Sequence, residues 1–257
     1  ESLRVDNASG TLSQMPHPLN LGSPLAHSSI TTDYSEALLE FITPVSQTVE
    51  DCELALAHLH QFTSQNLSGE LLWNASMPCG LGSDQEIPIA EFGTSNVGMM
   101  KRVYRNGLSA RYGPRMQTIA GLHYNFSLPE TFWKAVWQTS NQRVSLRDLQ
   151  TDGYLALIRN FFTRSWLLIY LLGASPAVCS TFLDGNQLNP LTPMGDTVKH
   201  SYYLPFATSL RMGDLGYTSR AQATLAVCYN SLEEYISTLK AAILTPHASY
   251  RNLISPV

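Results

Sequence analysis

From Met116 to Ser127 the chain alternates along its whole length. Met116, Thr118, Ala120, Leu122, Tyr124 and Phe126 fall on one side, and Gln117, Ile119, Gly121, His123, Asn125 and Ser127 on the other. A strand repeats every two residues, so the pattern predicts one long strand with an apolar back and a largely polar front. The front carries two amides, an imidazole and a glycine instead of the Lys, Glu and Thr of an ordinary solvent face. Gly121 leaves the backbone bare where a ligand can approach. That face reads as the floor of a binding site.

With 257 residues, 44% hydrophobic and 14% charged, the chain has the makings of a core-rich globular protein. The net charge of −4 gives no basic field for nucleic acid. Cys52, Cys79, Cys179 and Cys228 are far apart and form no CxxC pair. Neither a zinc site nor a disulfide framework is indicated, and reduced, buried thiols of a cytoplasmic protein are expected. No signal peptide is visible. The apolar run Trp166–Gly173 is short of the roughly 20 residues a bilayer span needs, so a buried helix and no membrane association are expected. The chain opens at Glu1 without an initiator Met and reads as truncated.

Along the chain, Glu1–Val5 reads as a short strand and residues 6–29 as loop. Ile30–Pro44 fits either a helix from a Thr/Asp cap or a turn feeding a strand over Leu38–Thr43. Helices are predicted over Thr48–Gln65, over Asn96–Tyr112 with Gly113-Pro114 as its stop, and from Pro129 through Trp137. A long buried helix is predicted over Leu149–Leu172, and a final one is capped at Asn230 or Ser231. Residues 74–95 and 184–200 read as loops, and Tyr202–Tyr217 as irregular and strand-like. Strands and helices without βαβ alternation point to an α+β fold with an antiparallel sheet.

Among residues able to carry chemistry, Glu1, Asp33 and Glu40 each lie in or beside an apolar segment. Glu40 sits between Leu39 and Phe41, where an unpaired carboxylate is expensive to bury. Three converging carboxylates suit Mg²⁺; surface carboxylates or an arginine pair are the plainer alternative. His123 is either a ligand on the polar front or a hydrogen-bonded core residue. Arg211 offers a fork for a carboxylate or phosphate, or an ion pair to Asp214. Tyr104 and Leu108, four apart on one helix face, form either a pocket wall or plain core. His58 and His60 share no face and make no metal pair. Gly93–Gly113 holds no phosphate-binding glycine loop, so nucleotide use would run through metal and arginine.

Several segments together resemble one family. They are Ile30-Thr31-Thr32-Asp33 running to Leu38-Leu39-Glu40-Phe41-Ile42-Thr43-Pro44, Ser76-Met77-Pro78-Cys79, Gly93-Thr94-Ser95-Asn96, Gly121-Leu122-His123-Tyr124-Asn125-Phe126-Ser127, Gly173-Ala174-Ser175-Pro176-Ala177, and Ala207-Thr208-Ser209-Leu210-Arg211 through Asp214-Leu215-Gly216-Tyr217. In this order they resemble the bacterial glutamate–cysteine ligases (γ-glutamylcysteine synthetases) over nearly the entire chain.

The resemblance implies a catalytic domain like that of glutamine synthetase, with a curved antiparallel sheet and flanking helices. It implies ATP-dependent joining of L-glutamate, through its γ-carboxylate, to the amine of L-cysteine, as the first step of glutathione biosynthesis. It implies two or more Mg²⁺ ions, replaceable by Mn²⁺. Glu1, Asp33 and Glu40 correspond to ligands of one ion and His123 to a ligand of a second. Tyr104, Leu108, Gln117, Arg211 and Tyr217 correspond to the cysteine pocket, with Tyr34 nearby and Asn125 on the site face. Arg211 and His123 are the expected catalytic residues.

The family carries a second acidic residue two positions before Glu1, and continues beyond Val257 with a metal-binding Glu and a substrate Arg. Residues 1–257 are therefore expected to be one catalytic domain, truncated at both ends, within a longer ligase. Two other functions fit the same residues: a related carboxylate–amine ligase with another acceptor, and a non-catalytic binding homologue.

Overall fold

The computed structural model describes residues 1–140, 143–173, 175–183, 191–195, 200–213 and 226–245. Its contacts divide the chain into two compact units, residues 1–122 with 174–217, and residues 123–173 with 218–257.

The first unit holds β1 (Ser2–Asp6), β2 (Ile30–Thr32), β3 (Leu38–Phe41), α1 (Val49–Asn66), β4 (Glu70–Trp73), α2 (Asn96–Tyr112), β5 (Ala177–Cys179), β6 (Thr192–Pro193) and β7 (Ser201–Tyr203). Four strands form an antiparallel sheet in the order β2-β3-β1-β4, and three form a second in the order β5-β7-β6. The fold is α+β with antiparallel sheets, as the mixture of elements predicts. The ambiguous segment 30–44 is a hairpin: Asp33 N–H donates to Leu38 O, and the intervening residues turn the chain.

Register decides what each face of the first sheet carries. Ser2 pairs with Leu39 and Leu3 with Leu38, so Glu1, Leu3, Leu38 and Glu40 share one face. That face carries the larger core, in which Leu3, Leu38, Tyr34, Ile119, Val178, Phe182 and Leu210 are buried. Ile30 and Leu39 on the other face join Leu21 in a smaller core, covered by Leu59 of α1.

The same reverse face holds Arg4, whose side chain is 0% exposed against 8% for its ion-pair partner Glu70. Arg4 Nη1 donates to both Glu70 oxygens at 2.8 Å. Its Nη2 donates to the carbonyls of Met15, Pro16 and Glu36. The Glu36 carboxylate in turn accepts from the N–H groups of His17 and Glu91. A buried charge stripped of such partners is strongly destabilising.

Helix ends follow local chemistry. Thr48, Ser95, Ser145 and Ser231 each accept the N–H three residues on, and Gly113, at φ +78°, closes α2. The second unit is helical, with α3 (Glu130–Thr139), α4 (Leu146–Leu172) and α5 (Leu232–Leu244). The Trp133 ring of α3 lies where a side chain at Gly153 of α4 would stand.

Four expectations need correction. Residues 116–127 are not a strand. Arg115–Thr118 form a 3₁₀ turn that buries Gln117 and Thr118 together, and both sets of side chains emerge after Gly121. Leu122, on the supposed apolar back, is 81% exposed. Among the described residues no partner strand imposes a two-residue repeat on the segment. Next, α4 forms but is not buried: only Leu155 is, and Trp166 is 66% exposed. With mean hydropathy 1.3 over its most apolar window, it is the one helix among the described residues long and apolar enough to cross a membrane. Third, none of the four cysteines is buried; Cys79 is exposed and the other three are half-buried. The strand-like reading of 202–217 reduces to Ser201–Tyr203 and turns through Gly213, and 214–217 lie outside the described residues.

Replacing Arg4 by Met strands the Glu70 carboxylate in the interior and should lower unfolding free energy by about 3–5 kcal/mol in denaturant titrations. Adding Glu70→Met should restore much of the loss; no recovery in the double variant would mean the pair is not the cause. Burial, with help from nearby Arg4, pushes the His17 imidazole from 6.5 down to about 4. Between those values the unfolded chain binds a proton that the folded chain refuses, so stability should fall as pH drops from 6.5 toward 4. His17→Gln should flatten that part of the melting-temperature profile.

Candidate active site

The candidate site sits at the end of β1. Carboxylate oxygens of Glu1 and Glu40 lie within 4.8 Å of each other, and both residues are half-buried. They meet because the β1–β3 register continues one residue past Ser2 and Leu39. Two carboxylates this close repel unless a proton or a cation lies between them. An all-oxygen pair in partial contact with solvent fits a hard divalent cation such as Mg²⁺.

Gly121 joins this pair to a third charged group. Its N–H donates to Glu1 Oε2 at 2.5 Å, and the Glu1 main-chain nitrogen donates to Gly121 O at 3.1 Å. A methyl at Gly121 would stand 2.5 Å from Arg211 Nη1, so the absent side chain is what admits the guanidinium. Behind it, Ser76 Oγ donates to Ala120 O and Ala120 N–H donates to Ser76 O, which fixes the segment. Two carboxylates and an arginine thus meet around one bare stretch of backbone.

Asp33 follows Thr31, the cross-strand partner of Glu40, by two positions and so points to the same face. It does not join Glu1 and Glu40 in a cluster of that tightness. Its carbonyl accepts from Nε of Arg105 on α2, and the same guanidinium reaches Thr32 O at 3.2 Å. Arg105 is buried beneath the Phe92 ring at 4.4 Å; burial lowers its pKa, while Asp33 and Glu40 pull it back up. Sequence reading passed over this residue. The available signal was its place in a stripe with Gly98, Lys101 and Leu108, spaced to face inward along α2.

Of the remaining predicted site residues, Gln117 is buried and Leu108 packs against the larger core. The Tyr34 ring is fully buried in that core, where desolvation raises its phenol pKa, while Tyr104 is 63% exposed. The two members of the Tyr104/Leu108 face therefore have different surroundings. His123 and Asn125 are exposed and begin the second unit; His123 follows Gly121 by two residues. Tyr217 and Asp214 lie outside the described residues.

An antiparallel sheet thus presents paired carboxylates and an arginine at one strand end, a donor set whose charges suit a cation and an anionic group. Residues 1–255 match the glutamate–cysteine ligase family, and the chain belongs to it. It is 53% identical over 251 residues to a glutamate–cysteine ligase of Saccharophagus degradans, covering 98% of this chain and 47% of that protein. A Pseudomonas aeruginosa glutamate–cysteine ligase is 52% identical over 255 residues, with 98% and 47% covered. The chain spans about half the length of the relatives it matches.

Among solved structures, the Francisella tularensis glutamate–cysteine ligase in complex with AMP superposes with TM-score 0.87 at 40% identity, covering 98% of this chain and 48% of that one. A bifunctional glutathione synthetase from Pasteurella multocida gives 0.79 at 30% identity, covering 96% and 30%.

Gly121→Ala should displace the Arg211 guanidinium, a flexible side-chain end, without unfolding the protein. In the full-length protein we expect about a tenfold or larger loss in kcat/KM, about 1.4 kcal/mol, with a melting temperature within a few degrees of the parent. A wild-type rate would show that Arg211 does not need the bare backbone.

Proposed function

We infer that the protein of which this chain is part is an ATP-dependent ligase. It joins the γ-carboxylate of L-glutamate to the amine of L-cysteine, the first step of glutathione biosynthesis, in the cytoplasm. The observation that carries this reading is the Glu1–Glu40 carboxylate pair, bridged through Gly121 to Arg211, in a chain of the glutamate–cysteine ligase family. The AMP in the Francisella tularensis relative supports a nucleotide co-substrate.

In this reading Glu1 and Glu40 hold Mg²⁺ or Mn²⁺, with Asp33 on the same face, and His123 serves a further ion. A cation held there would supply positive charge against the ATP phosphates. The glutamate γ-carboxylate attacks that phosphorus and ADP leaves. The cysteine amine then attacks the carbonyl of γ-glutamyl phosphate, and phosphate leaves with the amide bond formed. Arg211 gives a substrate carboxylate a two-pronged donor, an interaction that fixes orientation as well as charge. Tyr104, Leu108, Gln117, Arg211 and Tyr217 are assigned to the cysteine pocket by the family likeness, with Tyr34 nearby and Asn125 a further substrate-binding candidate. The protein's share of catalysis is positioning and charge neutralisation, with no covalent step of its own.

A full-length protein should release phosphate from ATP only when glutamate, cysteine and a divalent cation are all present, and should form γ-glutamylcysteine in equal amount. Phosphate release with glutamate and a different amine would reassign the acceptor; no turnover with any amine would leave a binding homologue. Glu40→Gln should lower kcat by about a hundredfold, about 2.7 kcal/mol, and raise the Mg²⁺ concentration needed for half-maximal rate. His123→Ala should also shift that Mg²⁺ requirement, and an unchanged requirement would remove it from the ligand set.

A further inference from the structure

Cys79 and Cys179 are 100 residues apart in sequence, and their thiols meet: the Cys79 S–H donates to Cys179 Sγ at 2.8 Å. We propose that Cys79 and Cys179 form a reversible thiol–disulfide pair that reacts with small disulfides and staples the loop behind Gly121 to β5.

Three features prepare the pair. First, the sulfurs already face each other, which is the geometric condition that most cysteine pairs fail. Second, the two backbones are held together independently of them. Leu81 N–H donates to Thr181 Oγ1 at 3.3 Å, and Arg115 donates to Thr181 O and, at 2.7 Å, to Gly82 O. Arg115 is itself anchored by Asp84. Gly80, at φ +67°, accepts from Leu12 N–H at 3.3 Å, and a side chain there would stand 2.7 Å from Gly10 O. Third, the two thiols are unequal. Burial of the sulfur and the neighbouring Cys179 push Cys79 up to about 11. Burial works against ionisation at Cys179 too, but hydrogen bonds from Cys79 and from Thr181 Oγ1 outweigh it and lower its pKa. Cys179 is therefore the nucleophile and Cys79 the resolving thiol.

The exchange balances without any further oxidant. The Cys179 thiolate attacks one sulfur of a small disulfide R–S–S–R; that S–S bond breaks and R–S⁻ leaves to take up a proton. Cys79 then gives up its proton and attacks Cys179 Sγ. The mixed disulfide breaks, the second R–S⁻ takes the proton, and the Cys79–Cys179 bond remains. Two protein thiols are oxidised and one small disulfide is reduced to two thiols. The source of R–S–S–R rests on the ligase reading. Both cysteine and its γ-glutamyl product are thiols, so their oxidised forms are small disulfides. The loop that would be stapled carries Ser76, which holds Ala120 next to the Gly121–Glu1 contact.

The test uses the reduced full-length protein, cystine and, separately, hydroxyethyl disulfide at neutral pH, followed by alkylation and peptide mass mapping. We expect one cross-linked peptide pair, Cys79 with Cys179, with the loss of two hydrogens, full reversal by dithiothreitol, and Cys52 and Cys228 still alkylated. Cys79→Ser should instead accumulate a stable mixed disulfide on Cys179. In brief alkylation of the reduced protein, Cys179 should react about tenfold or more faster than Cys79, following its larger thiolate fraction. The oxidised form should melt several degrees higher than the reduced form. No cross-link at equilibrium with either disulfide, or equal alkylation of the two thiols, overturns the proposal. Because the readout is thiol chemistry, a cross-link in a protein that makes no γ-glutamylcysteine would leave the pair standing and remove only the source assigned to its disulfide.

Discussion

The Arg4 guanidinium holds the first unit together. It is fully buried on the reverse face of the sheet, pairs with Glu70 of β4, and donates to carbonyls at Met15, Pro16 and Glu36. An apolar side chain there would pack, but it could not fix four separate segments in one register. Arg4 lies three residues from Glu1 on β1. Glu36 lies in the turn between β2 and β3, between Asp33 and Glu40. The acidic side chains on the opposite face therefore take their places from an ion pair they never touch. A buried pair of this kind gives little net stability, yet removing one partner is severe, so it specifies an arrangement more than it strengthens one.

Arg105 repeats the device at a second point. Its guanidinium takes the carbonyls at the end of β2, where an unpaired strand end would otherwise need water. The site is thus a rim of carboxylates and an arginine standing on backbone that buried arginines hold. Such construction holds Glu1 and Glu40 close together despite their mutual repulsion, which a cation between them would relieve.

The second unit is different in kind. Ser145 and Ser231 cap α4 and α5, and Trp133 packs over Gly153, but the C-terminal half of α4 presents Trp166, Tyr170, Leu171 and Leu172 to solvent. The apolar run was visible in the sequence; periodicity and composition could not say whether anything in these residues covers it.

What the sequence determined by itself was local. The limits of α2, the start of α1 at Thr48 and the cap at Ser231 were legible because a side chain and the N–H it accepts lie three residues apart, whereas α4 starts at Leu146, three residues before the predicted Leu149. The acidic positions Glu1, Asp33 and Glu40, and the likeness to one family, were legible because residue types and their order survive without coordinates. What only the tertiary structure decided was which distant residues meet. The alternation at 116–127 imitated a strand, but no strand among the described residues pairs with it, and a two-residue repeat has meaning only against a partner strand. Glu1 reaches Glu40 through strand register, Gly121 admits Arg211 across 90 residues, and Cys79 touches Cys179 across 100. These contacts follow from how the sheets and loops close on one another. Closure over such separations is set by the sum of burial and hydrogen bonding across the whole unit, which no local stretch of sequence contains.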